Sequence, residues 1–418
     1  MARSILSLGA LLLGSAFLVF AGGLNGLLLP IRGEIEGFTA ASLGLLGTGW
    51  AVGYVAGCIT TSSLVARVGH VRVFGAMCAI AAITVLLSLL FVTPWVWIPL
   101  RGIAGFCFAG AAMVVESWLN EKAESSTRGR IFGVYTMVNL GATTAGQLAL
   151  TTGDPSGYVF FVVAAIVYCL ALLPTAVSAT TTPTALVKVS LDLGALWRNS
   201  PIAVVAVFMV GISNAAFGTL VAVYGARTGL SVSEVALFAS VPVLAGAIAQ
   251  VPIGILSDRH DRRKVLIGIV VLALVADATF LFAGFTATAA LIATSAVFGA
   301  AVFSMYPVIV AHANDHAAPG TFIQVSGGLL LVFGVGSIIG PTIAGFAMTR
   351  YGTSSLFWTT AAAHVLMLLF ALLRLRARAA VPAEDKTAFR AAPLARGTTP
   401  ETAALAEPTD PETPPAPA

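Results

Sequence analysis

The chain has 418 residues, of which 58% are hydrophobic and only 10% charged, and its mean hydropathy is +0.95. One soluble core cannot bury that much apolar surface, so a soluble globular protein is excluded and a multi-pass membrane protein is expected. The net charge of +4 does not argue for nucleic acid, because the basic residues lie in short clusters between apolar runs, as loops on the cytoplasmic side of a membrane do.

At about twenty apolar residues per crossing, the chain predicts twelve membrane helices, near 7–31, 39–64, 71–92, 95–118, 131–151, 157–178, 201–225, 233–256, 265–285, 288–312, 322–347 and 354–374. The first is too long for a signal-peptide core and is kept as a helix. Helix one carries "AGGLNG", Ala21 to Gly26, with close glycines around Asn25. Helix four holds Arg101, with Gly105, Phe108 and Ala112 on the same face. It lies about 10 Å along the helix, too deep to reach water cheaply. It requires water, a carboxylate, an anionic ligand or backbone carbonyls. Glu116 ends the same helix and is a candidate to pair with Lys122 or Arg128, which favours a gate or loop role over proton carriage; Asp277 is the other deep charge, in helix nine. Neutral polar and aromatic candidates are Trp50 and Tyr54 in helix two, Asn139 and Gln147 in helix five, Ser213, Asn214 and Phe217 in helix seven, and Ser304 and Tyr306 in helix ten. The four cysteines sit inside apolar runs, which argues against disulfides and a metal cluster.

With the N-terminus inside, the cytoplasmic segments hold eighteen Lys or Arg, the external loops only Arg32, Arg227 and Arg350. Both termini are therefore expected in the cytoplasm. Sliding the chain against itself reveals a repeat. "NEKA" at Asn120 lies over "NDHA" at Asn314, Gly105 over Gly299 and Gly146 over Gly340; "GFT" at Gly37 lies over "GLS" at Gly229, and Arg67 over Arg259. The expected organisation is a six-helix half over 1–178, a cytoplasmic linker over 179–200, a second half over 201–374 and a disordered cytoplasmic tail over 375–418. Ser231 and Glu234 have the spacing of a capping box.

The segment "GILSDRHDRRKV", Gly254 to Val265, concentrates charge between helices eight and nine. Gly254, Leu256, Asp258, Arg259, Arg262 and Arg263 resemble the loop signature of the major facilitator superfamily. The equivalent first-half loop keeps Leu64, Arg67, Gly69 and Arg72 but has Ser62 and Ala66 in place of the glycine and aspartate. Arg101 and Gly105 are similar to the family's helix-four motif, and Gly336, Gly340, Pro341 and Gly345 to a glycine and proline pattern of its antiporters, there on helix five. The block "ESWLNEKAESSTRGRIFGVYTMVNLG", from Glu116, resembles a bacterial branch, the YcaD-like proteins, which implies a fold and no substrate.

The resemblance implies an all-α membrane protein of two pseudo-symmetric six-helix halves that rock about a central site. It also implies that helices one, four, seven and ten line that site. Substrate or coupling candidates are then Arg101, Asn25, Glu116, Asn139, Asn214, Phe217, Tyr306 and Asp277. Helices three, six, nine and twelve stand outside the cavity in this fold, which favours an interhelical role for Asp277. Gly254, Asp258, Arg259, Arg262 and Arg263 would form a cytoplasmic gate, the competing reading being a solvated loop that only fixes topology. The expected protein is a monomeric secondary transporter of a small solute in a bacterial inner membrane, driven by the proton gradient and without cofactor, metal or nucleic acid. A facilitative uniporter and a non-transporting sensor on the same fold stay open. Motifs for ATP hydrolysis or catalysis are missing, so no enzyme is expected.

Overall fold

In the computed structural model, residues 2–123, 128–177, 186, 192–285, 287–318, 320–375, 381–382, 385–390 and 398–402 are described. Among them the chain forms helices and no strand: α1 (Ala2–Ile35), α2 (Ala40–Val68), α3 (His70–Leu90), α4 (Pro94–Lys122), α5 (Arg128–Leu148), α6 (Val159–Leu170), α7 (Leu172–Val177), α8 (Leu193–Asn199), α9 (Pro201–Arg227), α10 (Val232–Arg259), α11 (Arg262–Phe282), α12 (Thr288–Asn314), α13 (Phe322–Tyr351) and α14 (Ser355–Leu375).

Ten of these are long and apolar enough to cross a membrane. The more polar α5, and α6 with α7 broken at Ala171, complete the twelve expected segments. Local chemistry sets the helix ends. Thr39 caps α2 by accepting from Ser42 N at 3.1 Å; at the equivalent start of α10, Ser231 and Glu234 form the expected capping box. Pro94 and Pro201 occupy first helical positions, where a missing N–H leaves no bond unmade.

The two halves repeat one packing scheme. In the first, α1 lies on α5, α2 on α4, and α3 on α4 and α6; in the second, α9 lies on α13, α10 on α12, and α11 on α12 and α14. The repeat holds at single atoms. A Cβ on Gly105 would overlap the Trp50 carbonyl, and one on Gly299 the carbonyl of Pro242, 192 residues further on. Gly146 and Gly340 meet the carbonyls of Phe20 and Ile212 in the same way. Such contacts let helices approach more closely than any side chain allows, which drives association in lipid.

The linker is not featureless. Asp192 caps α8 by accepting from Ala195 N at 2.9 Å, Asn199 donates to the Ala313 carbonyl at 3.0 Å, and Leu196 fills the space over Gly328. The face that carries the linker and the tail is called terminal below, the opposite face distal.

Candidate functional site

Between the halves lies a cavity of about 230 Å³. Its walls come from α1, α2, α4, α5, α9 and α10, with Phe303 of α12 and Tyr168 of α6. Of the predicted residues, Arg101, Asn139, Asn214 and Phe217 line it, together with Phe108 and Ala112 from the predicted face of α4, Trp50 and Gln147. Ser15 donates to Asn139 Oδ1 at 2.8 Å, holding the amide at the wall. Phe217 is fixed from behind by the Phe298 ring, centroids 4.7 Å apart. Sequence reasoning missed Ser15, Tyr135, Thr143 and Gln250 as lining residues. A signal for part of this was present: Tyr135, Asn139, Thr143 and Gln147 recur every fourth residue, a polar stripe down one face of α5.

Four of the substrate or coupling candidates, Asn25, Tyr306, Asp277 and Glu116, are not in the lining. Asn25 is buried but stands outside it, its Oδ1 without a partner, while Gly22, Gly23 and Gly26 form the wall. The glycines bring the α1 backbone, and not the asparagine, to the cavity: Gly23 sits against the Thr143 carbonyl and Gly22 against the Phe108 ring. Tyr306 packs edge-on to Phe333, centroids 5.5 Å apart. Asp277 is fully buried between α11 and α14, accepting from Thr360 Oγ1 at 2.6 Å and bonded to His364 Nδ1 at 2.7 Å. Those bonds tie two helices together outside the cavity.

Glu116 adjoins the cavity through Tyr135, whose hydroxyl donates to Oε1 at 2.8 Å. Its other donors come from the tail: Thr402 Oγ1 at 2.7 Å and the Thr399 hydroxyl. Arg128 is not among its described partners, and the Lys122 side chain lies outside what is described. Thr398, Thr399, Glu401 and Thr402 are all buried, and Tyr54 of α2 donates to the Thr398 carbonyl at 2.8 Å. A buried carboxylate needs donors, and these threonines supply them. Arg376 and Arg378 lie outside the described residues.

The halves meet from mid-bundle to the distal face. Arg227 of α9 forms a two-pronged ion pair with Glu34 of α1, at 2.8 and 3.1 Å. Thr48 bonds Thr342 at 2.7 Å and donates to the Ile338 carbonyl at 2.8 Å; Ser240 donates to Gln147 Oε1 at 3.0 Å. The glycine and proline run of α13 serves this closure: Gly345 packs against the Ala40 carbonyl and Gly44 against that of Pro341.

On the terminal face the predicted gate residues form a cluster inside the second half. Arg262 is buried and donates to Asp315 at 2.7 Å, Ser257 Oγ at 2.8 Å, Asp258 at 3.1 Å and the Thr387 carbonyl. Asp258 also accepts from Phe389 N at 3.0 Å. Arg263 is held by Asp261 and by the Leu375 carbonyl at 3.2 Å. Burial pushes the Asp261 carboxyl up, but the hydrogen bonds and charge of Arg263 outweigh it and hold it below its ordinary value. Arg259 is exposed. At Gly254 the missing Cβ makes room for the Phe389 ring of the tail. Asp315, at the end of α12, was not foreseen, since no local pattern marks it as a partner of Arg262.

The family model described as Major Facilitator Superfamily matches residues 11–231 and 203–408. A protein of Escherichia fergusonii named "Uncharacterized MFS-type transporter YcaD" is 27% identical over 379 residues, covering 88% of this chain and 95% of its own. Among solved structures, the nucleoside transporter NupG matches with a TM-score of 0.75 at 14% identity, over 90% of this chain and 100% of its own. A bacterial homologue of the human lysosomal transporter Spinster, in an inward-facing and occupied conformation, matches with 0.72 at 17% identity, over 91% and 97%. At these identities the structural likeness is one of fold.

Proposed function

The chain belongs to the major facilitator superfamily, and from that premise we propose that it carries a small solute through a bacterial plasma membrane by alternating access, with protons as the driving ion. The observation that carries this reading is the cavity itself. It lies between two equivalent halves that are joined at the distal face by Glu34 with Arg227 and Thr48 with Thr342. The charge asymmetry of the loops supports a cytoplasmic terminal face, which makes this the inward-facing state. Rocking the halves would part those distal contacts and bring the terminal ends together, exposing the same cavity to the other side.

Glu116 is the proton site in this reading. It is a buried carboxylate one hydroxyl from the cavity, so its protonation can respond to what the cavity holds. Asp277 is engaged by His364 and Thr360 and gives the cavity no carboxylate. Proteoliposomes enclosing a pH-sensitive dye, challenged with a metabolite library, test this. The expected result is solute entry accompanied by lumen acidification, with Glu116→Gln losing the proton movement but retaining exchange of solute across the membrane. Entry without proton movement in the wild type would make it a facilitative uniporter. Binding without entry would make it a sensor.

A further inference from the structure

Among the described residues that line the cavity, Arg101 is the only charged one; no carboxylate shares its wall. A guanidinium stays charged throughout the accessible pH range and offers five N–H donors in a rigid fork. Enclosing it in a largely apolar chamber is unfavourable unless an anion or several acceptors meet it. The chain meets that need at other arginines. Arg262 has Asp315 and Asp258, Arg263 has Asp261, Arg227 has Glu34, and Arg32 has Glu36. The Arg101 side chain has no hydrogen bond or ion pair among the described residues, is only partly buried, and lines the cavity.

We infer that the solute is a small organic anion whose single anionic group binds Arg101. The inference rests on the transport reading only in taking the cavity as the solute's site. One unpaired cation selects one negative group; a fork of donors favours a planar carboxylate over a spherical ion. Around it the cavity presents the rings of Trp50, Phe108, Phe217 and Phe303 for an apolar body, and Asn139 and Asn214 for neutral polar atoms. A volume of about 230 Å³ keeps that body small. The cavity therefore suits an amphipathic monocarboxylate better than a sugar, which lacks the charge, or a cationic drug, which Arg101 would repel.

The test uses the purified full-length protein in detergent. Its thermal unfolding is followed with a series of monocarboxylates running from acetate through benzoate to phenylpropionate, each paired with its neutral amide, at neutral pH. At least one carboxylate should bind about tenfold or more tightly than its amide, a difference of about 1.4 kcal/mol. Arg101→Gln should erase that preference. Arg101→Lys, which keeps the charge but loses the fork, should retain part of it, and carries the test alone if Arg101→Gln does not fold. The inference is overturned if no carboxylate exceeds its amide, or if either variant binds carboxylate as the wild type does. Flux separates this from the transport reading. A carboxylate that binds through Arg101 but never enters liposomes leaves the inference standing and removes transport; a neutral solute carried equally by wild type and Arg101→Gln does the reverse.

Discussion

Arg262 and Asp258 show how differently two members of one motif can matter. Arg262 is buried, and so is the side chain of Asp315 that accepts from it, whereas the Asp258 side chain is 42% exposed. An exposed ion pair contributes at most about 1 kcal/mol, while removing one partner of a buried pair costs about 3–5 kcal/mol because a charge is left stranded. Asp315→Asn should therefore destabilise the protein by several kcal/mol and Asp258→Asn by less than about 1 kcal/mol, read by denaturant unfolding in micelles. Equal effects would mean that Asp258, the residue prominent in the sequence, carries the cluster after all. The motif was legible because its charges are crowded into one loop. Asp315 was not, because it lies 53 positions from Arg262 in the chain and only packing brings it there.

At the scale of elements, α5 is the informative case. It falls short of the apolar criterion met by ten other helices because one of its faces turns Tyr135, Asn139, Thr143 and Gln147 to the cavity. Its weakness as a membrane segment is thus the trace of the cavity it lines. The helix pairs depend on glycines in an equally specific way. Gly299→Val would drive a side chain into the Pro242 carbonyl and should cost about 1–3 kcal/mol or more. Gly141→Ala, where a Cβ meets nothing within 4 Å, should be neutral or slightly stabilising, since alanine favours a helix more than glycine does. Thermal unfolding of the two variants compares them directly; equal behaviour would mean that the close approach of α10 and α12 does not hold the half together. The internal repeat of the sequence already aligned Gly299 with Gly105. What each glycine touches emerged only with the helices in place.

The whole molecule is organised around one closed face. Thr48 and Thr342 stand 2.7 Å apart through their hydroxyls at the junction of α2 and α13. Cysteines at both positions should form a disulfide under mild oxidation, in a background where the exposed Cys169 is replaced by serine. If the halves must part here for transport, the cross-linked protein should carry no solute and a reductant should restore it. Transport that persists through the cross-link would show that the distal face does not open.

The sequence alone determined an all-helical membrane fold and its internal repeat, because crossing length and glycine spacing are local properties of the chain. It also brought Arg101 forward, since a charge at that depth is costly wherever the helix points. Only the tertiary structure decided that Arg101 faces a cavity without a carboxylate, that Asn25 turns away from it, and that tail threonines satisfy Glu116. Each of these depends on how a helix is rotated about its axis and on which distant residue it meets. Helix rotation in a bundle is set by packing of all neighbours together, and no single stretch of sequence encodes it.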